Sequence, residues 1–195
     1  MRSSTPQEWL RIWADQYPSS DYNNAEYREL IAKHKSLSSE DFERIGMWKD
    51  GASSKGRWKR NVASVAYLIW KQAAKKLPKC PRESEVADFL KDWSNKAYAD
   101  VFKNGSRKKH FGLSRATTLL NFVSGGRYPI FDSRVRTAIA RLLDRPELPG
   151  TVTSYLESYL PLFKELADCC ETVDFRVLDK ALFSYGALEK RKFSN

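Results

Sequence analysis

Apolar residues recur at three- and four-residue spacing through nearly every segment of the chain, and no alternating apolar run is long enough to predict a strand. Residues 7–16 predict a first helix with Trp9, Leu10 and Trp13 on its apolar side and Pro18 as its stop. Asp21, Asn23 and Asn24 suit the cap of a second helix over 25–34, and Ser38-Ser39-Glu40-Asp41 opens a third that reaches Trp48. The small polar stretch 50–56, between Trp48 and Trp58, reads as a loop. A long helix over 57–76 follows, its stripe built from Val62, Val65, Ala66, Ile69 and Ala73, ending before Pro78.

Residues 83–102 predict one helix or two, broken near Ser94-Asn95, with Val86, Phe89, Leu90, Trp93 and Tyr98 as buried candidates and Asn104-Gly105 as the close. The basic run 107–110 reads as a short helix, 111–114 as a turn, and 115–123 as a compact helix. After a tight connection over 124–129, Asp132 opens a helix to Leu143. Helices over 151–170 and 174–190 complete the tail, the last with Phe175, Leu178, Leu182 and Tyr185 facing a core. The expected fold class is all-α, with roughly eight to ten helices, as one domain or two small lobes sharing a core.

Composition narrows the class. The chain has 195 residues, 42% hydrophobic and 30% charged, enough to bury a core. No run reaches the roughly 18 uncharged apolar residues of a membrane span, and MRSSTPQEWL lacks the apolar stretch of a secretory signal. A cytoplasmic monomer with no membrane partner is expected. Cys80, Cys169 and Cys170 are odd in number and two are adjacent, so reduced thiols are expected, with Cys169 and Cys170 as small buried residues. With two histidines, His34 and His110, a metal cluster is hard to build, and no metal or other cofactor is expected.

Charge changes the picture more. The formal net charge is +10, and residues 51–82 hold nine bases and no acid, while residues 101–131 hold six bases and no acid. The remaining 132 residues carry 19 bases against 24 acids. A polyanion surface needs such segregation, because each phosphate contact releases counterions and nearby carboxylates undo the gain. A solvated basic helix face is the alternative for either block.

Residues 107–143, RKKHFGLSRATTLLNFVSGGRYPIFDSRVRTAIARLL, read in order as a short helix, a glycine-containing turn, a second helix, a loop, and an Asp that begins a third helix. This order resembles the helix-hairpin-helix DNA glycosylase superfamily, over about 37 of 195 residues. That family's hairpin has the form Leu-Pro-Gly-Val-Gly-x-Lys-Thr-Ala, and its catalytic aspartate follows in a stretch like Val-Pro-Val-Asp-Thr-His-Val-x-Arg-Ile. Residues 111–117 fall on the hairpin, within a helix-hairpin-helix element at 107–123, and 128–136 fall on the aspartate stretch. The resemblance implies a two-lobed fold, with Asp132 as catalytic carboxylate at the mouth of a cleft and Gly112 and Ser114 offering backbone N–H groups to a DNA phosphate. Arg107, Lys108, Lys109, Arg115, Arg127 and Arg134 are the accompanying DNA-binding candidates. The expected partner is double-stranded DNA with a flipped-out modified base.

Three departures from the family pattern carry consequences. Ser114 replaces the second hairpin glycine and lacks its conformational freedom. Ala116 stands where bifunctional members carry a Schiff-base lysine, which implies a monofunctional enzyme that leaves an abasic site without lyase activity. The four-cysteine iron–sulfur pattern of some members is absent from the sequence. The short chain and divergent hairpin look like the small bacterial antiphage glycosylases acting on glucosylated hydroxymethylcytosine. That likeness makes a modified cytosine in phage DNA a candidate substrate and antiviral defence a candidate setting, beside repair of a damaged base.

The residues themselves support the chemistry. Breaking an N-glycosidic bond builds positive charge on the sugar, and one ionised carboxylate can stabilise it and orient water. Asp132 sits at a predicted helix start, where the macrodipole and free N–H groups favour negative charge, after 31 residues without another acid. It equally suits the N-cap, and the two roles are compatible. A base pocket needs aromatics, and Trp48, Trp58 and Tyr128, with Lys49 and Asn61 as polar neighbours, are its candidates, although each aromatic also suits a core. Arg134 and Arg136 suit phosphate contact or pairing with Asp174 or Asp179. Two competing classes stay open: a non-catalytic helix-hairpin-helix DNA-binding protein, and a helical interaction protein or toxin whose DNA affinity would be weak and insensitive to salt.

Overall fold

The computed structural model describes residues 5–18, 24–51, 65–78, 81–100, 107–172 and 174–192. The chain is all-α: among the described residues there are nine α-helices, one π-helical turn and one short two-stranded hairpin. Two compact units form, Ser19–Tyr128 and a second made of Met1–Pro18 together with Pro129–Asn195.

The unit built from the two chain ends holds α1 (Pro6–Asp15), α7 (Ser133–Leu142), a π-helical turn (Ser154–Tyr159), α8 (Leu160–Cys169) and α9 (Phe175–Lys192). Thr5 caps α1 through a reciprocal box: its hydroxyl accepts the Glu8 N–H at 3.2 Å and the Glu8 carboxylate accepts the Thr5 N–H at 2.9 Å. The apolar side of α1 buries Leu10 and Ala14 and sets Trp9 and Trp13 edge-on to Tyr185 of α9. The middle of α9 supplies the buried Leu178, Ala181, Leu182 and Phe183, while Tyr185 and Phe175 lie half-buried at its margins. Gly186 marks a close approach of two helices. A Cβ there would lie 1.9 Å from the Arg134 carbonyl oxygen of α7, so α7 and α9 meet backbone to backbone and only glycine fits.

The other unit holds α2 (Asn24–Ala32), α3 (Ser39–Gly51), α4 (Val65–Lys76), α5 (Glu83–Ser94) and α6 (Leu113–Val123). Ser38 opens α3 as expected, exchanging hydrogen bonds with Asp41. The core gathers Trp70, Val86, Phe89, Leu90, Trp93, Phe111 and the buried face of α6, with the Trp70 and Trp93 rings edge-on to Phe111. Ile69 and Ala73 of the anticipated long-helix stripe are buried in α4, and residues 52–64 lie outside the described residues.

Two expected helical stretches are strands. β1 (Ala97–Asp100) pairs antiparallel with β2 (Arg107–His110), in the register Ala97↔His110 to Asp100↔Arg107. Asn-Gly between two short runs is a hairpin signal as well as a helix-closing one; Asn104-Gly105 itself lies outside the described residues. The hairpin is anchored at its base: Phe111 N–H donates to the Lys96 carbonyl at 3.0 Å, and Gly112 N–H to that of Ser94 at 2.9 Å.

Cys170 is buried and Cys169 is exposed, so the expectation that both are buried fails for Cys169, whose position at the end of α8 faces outward. Among the described residues no helix is long and apolar enough to cross a membrane, and no group of His, Cys, Asp and Glu is arranged to hold a metal ion.

Arg44 ties α2 to α3, reaching Glu29 at 2.7 Å, Glu26 at 3.1 Å and Asp41 at 3.4 Å. Hydrogen bonds from Arg44 and Lys33 hold the Glu29 carboxyl down to about 2. A carboxylate whose folded value is depressed stabilises above its ordinary value and loses that contribution as pH falls through the folded one. The stabilisation is therefore complete above about pH 4.5 and disappears toward pH 2. Thermal unfolding of Arg44→Met is expected to show a lower midpoint than the parent at pH 6, with the gap closing steadily between pH 4.5 and pH 2.

Candidate active site

α6 begins and ends at glycine. Gly112 is its N-cap with φ +84°, and helix geometry leaves the first-turn amides of Leu113 and Ser114 without an intrahelical acceptor. Ser114 is an ordinary helical residue in this first turn, so the missing second glycine costs no backbone strain. At the other end Gly126 N–H donates to the Asn121 carbonyl and Gly125 N–H to that of Phe122, a Schellman closure with both glycines at positive φ. The His34 ring packs against this closure, 3.2 Å from where a Cβ of Gly125 would lie. Asn121 then fixes the outgoing chain. Its amide donates to the Tyr128 carbonyl at 2.8 Å and its oxygen accepts the Tyr27 hydroxyl at 2.9 Å.

Asp132 lies at the start of α7. Its backbone is extended, with φ −108° and ψ 173°, and Oδ1 accepts the N–H groups of Arg134 at 2.9 Å and Val135 at 3.0 Å. The side chain is half-buried, between Phe131, which is buried, and Ser133, which is exposed. Two tyrosines hold the run that leads to it. The Tyr155 hydroxyl donates to the Pro129 carbonyl at 3.0 Å and the Tyr159 hydroxyl to that of Ile130 at 3.2 Å. The Phe131 ring packs against both, 5.6 Å from Tyr155 and 4.6 Å from Tyr159. Complete burial pushes the Tyr159 phenol well above its ordinary value, reinforced by the negative charges of Asp179 and Asp132 and by Tyr155, so it remains a hydrogen-bond donor.

Cations flank the carboxylate on α7, each with partners in its own unit. Arg134 stacks 4.5 Å from the Phe183 ring centroid. Arg136 donates to the Leu148 carbonyl at 2.8 Å and pairs with Glu147 at 3.3 Å. The buried Asp179 pairs with Arg176, whose guanidinium also donates to the Tyr17 hydroxyl.

The other sequence candidates divide. Arg107, Lys108 and Lys109 are the residues of β2, immediately before the Gly112 turn, so 107–123 is a strand, a turn and a helix rather than two helices. Arg115 donates to the Phe111 carbonyl at 3.1 Å, and the exposed Arg127 donates to that of Ser124 at 3.2 Å. Trp48 is 5% exposed and packs on Tyr27 and Phe122, within α3, which runs past it to Gly51. Lys49 is half-buried beside it, and Tyr128 is half-buried with its phenol raised by burial, against the opposing charge of Arg127. Trp58 and Asn61 lie outside the described residues.

Asp132 belongs to the unit of the two chain ends, and Gly112 with Ser114 to the unit Ser19–Tyr128. Sequence reasoning missed Tyr155 and Tyr159. Their i, i+4 spacing resembles an ordinary core stripe, and the carbonyls they hold lie 26 and 29 residues away along the chain. It also missed a groove of about 890 Å³ in which Lys75, Lys76 and Lys96 share the walls with Glu85, Asp88 and Asp92 around Trp93. The opposed charges make that groove a poor track for a polyanion.

No family model, curated protein or solved structure matches the chain.

The N-cap gives Asp132 a role in stability that substitution separates from any chemistry. Asp132→Ala is expected to lower unfolding stability by about 1 kcal/mol, and Asp132→Asn by a few tenths at most, since Asn caps as well as Asp. Urea denaturation of the two variants checks this; equal losses would remove the cap from the account.

Proposed function

We propose that the protein is a monofunctional DNA glycosylase that hydrolyses the bond between a modified or damaged base and deoxyribose, with Asp132 as the catalytic carboxylate. The observation that carries the reading is a half-buried carboxylate held by two backbone N–H groups at the start of a helix, directly after 31 residues that contain six bases and no other acid. The resemblance to the helix-hairpin-helix glycosylases supports it through the order of glycine turn, helix, loop and helix-capping aspartate.

The C1′–N bond breaks as the base leaves with the bonding electrons, and positive charge spreads over C1′ and the ring oxygen. The Asp132 carboxylate stabilises that charge and takes a proton from the water that attacks C1′, leaving an abasic site. The nucleotide must first leave the stack. Phosphate contacts come from the first-turn amides of α6 at Leu113 and Ser114, with Arg107, Lys108, Lys109, Arg115 and Arg127 supplying positive charge. The phosphate grip is then a strand, turn and helix, with β2 where the family places its first hairpin helix. A modified cytosine, such as one glucosylated on a hydroxymethyl group, is the candidate base.

A second reading rests on the N-cap itself. Oδ1 of Asp132 is engaged as in many purely structural caps, and the same turn and cations would serve a non-catalytic DNA-binding protein.

Duplexes carrying single modified bases, glucosylated hydroxymethylcytosine among them, separate the two readings when abasic sites are scored by alkaline cleavage. The parent is expected to cleave at least one duplex and Asp132→Asn to lose at least about 100-fold in rate while still binding. Binding without cleavage of any duplex, or an Asp132→Asn variant as active as the parent, overturns the enzymatic reading. Substituting Lys108 and Lys109 together is expected to weaken binding uniformly across sequences and to lower the salt slope by about 1 to 2; an unchanged slope removes β2 from the interface.

A further inference from the structure

We infer that Tyr155 and Tyr159 are positioning residues for Asp132: from one π-helical turn they clamp the two consecutive carbonyls of Pro129 and Ile130 and so fix where the carboxylate stands. The inference rests on the proposed role of Asp132, and goes beyond it by assigning the residues that aim it.

Three observations carry it. The first is the use of tyrosine where phenylalanine would pack. Both rings are completely buried, a setting in which a hydroxyl is penalised unless it finds a partner. Both hydroxyls are engaged on the same short run, 3.0 and 3.2 Å from adjacent carbonyl oxygens, three and two residues before Asp132. The second is the helix itself. The Leu160 N–H reaches back to the Tyr155 carbonyl, five residues away, so one residue is inserted into this turn. An inserted residue rotates the remainder of the helix by about 100° relative to a regular one, which changes the direction of Tyr159 relative to Tyr155. Two donors from one helix thereby meet two successive carbonyls.

The third is the continuity of the path. The clamped carbonyls lead to Phe131, whose ring lies against both tyrosines, and then to Asp132, whose Oδ1 receives the first amides of α7. Gly186 lets the Arg134 carbonyl rest against α9, so the α7 side of Asp132 is fixed as well. The carboxylate is thereby held from both sides, by the tyrosines before it and by the packed helix after it. Positioning of this kind bears on rate more than on binding, since small displacements of a catalytic group are felt in the transition state.

Tyr155→Phe and Tyr159→Phe, made singly in the full chain, test this, because each removes one hydroxyl and keeps both rings. Amide hydrogen exchange at Arg134 and Val135 reports directly on the cap, with Leu182 of α9 as the internal reference. Exchange at Arg134 and Val135 is expected to quicken at least tenfold with Leu182 unchanged. On a duplex the parent cleaves, kcat is expected to fall at least tenfold with KM and DNA affinity unchanged. Unaltered exchange at Arg134 and Val135, or acceleration matched at Leu182, overturns the clamp. Altered exchange with unchanged kcat overturns the positioning role. Should the parent cleave no duplex, the proposed reaction fails on its own, and the exchange measurement still decides the clamp.

Discussion

Where α7 and α9 meet, backbone rests on backbone, and the geometry of the aspartate depends on that contact. Gly186 has no Cβ, so the Arg134 carbonyl can approach where any other residue would force the helices apart. The first turn of α7 is fixed by this approach, and the first turn contains the two amides that Asp132 caps. Close packing also explains why the preceding run is held by hydroxyls rather than by strand pairing. Pro129 and Ile130 are buried outside any strand, and their carbonyls take donors from side chains.

Local signals were legible in the sequence, and distant ones were not. Ser38 with Asp41 and Asp132 before Ser133 are each readable within three residues, because a cap is a contact between near neighbours. The clamp from Tyr155 and Tyr159 spans 26 and 29 residues, and nothing in the spacing of two tyrosines reveals what their hydroxyls will meet. The hairpin was hidden for a different reason. Ala97–Asp100 and Arg107–His110 are too short and too polar for a period of two to stand out, and Asn-Gly serves a helix end as well as a turn between strands. Trp48 suited core and pocket alike in the sequence; it lies within α3, which continues to Gly51, and its indole packs against Tyr27 and Phe122.

Charge that is segregated along the chain is not always segregated in space. Lys75 and Lys76 belong to the first acid-free block, yet the groove they line also contains Glu85, Asp88 and Asp92 from α5. Neutralising carboxylates have returned through the fold, and the counterion argument loses force there. In the second block a carboxylate returns as well, since Asp100 of β1 stands opposite Arg107 of β2 in the strand register. Its bases at 107–109 occupy a strand that ends at the Gly112 turn, and the turn opens directly into the first amides of α6, so positive side chains and oriented N–H groups succeed one another within a few residues. The phosphate contacts of the proposed function rest on this succession of bases, turn and first amides.

The same carboxylate can cap a helix and take part in chemistry because its two oxygens are separate acceptors. With Oδ1 accepting from Arg134 and Val135, the cap fixes the orientation of the carboxylate. A residue that must be ionised and oriented gains both from a helix N-terminus, whose amides favour negative charge and whose hydrogen bonds have a direction. Asparagine reproduces the direction and not the charge. Alanine reproduces neither. The distinction matters for this site because the cap and the proposed catalysis draw on one side chain, and the stability of α7 and the rate of base release are therefore separate measurements of the same two atoms.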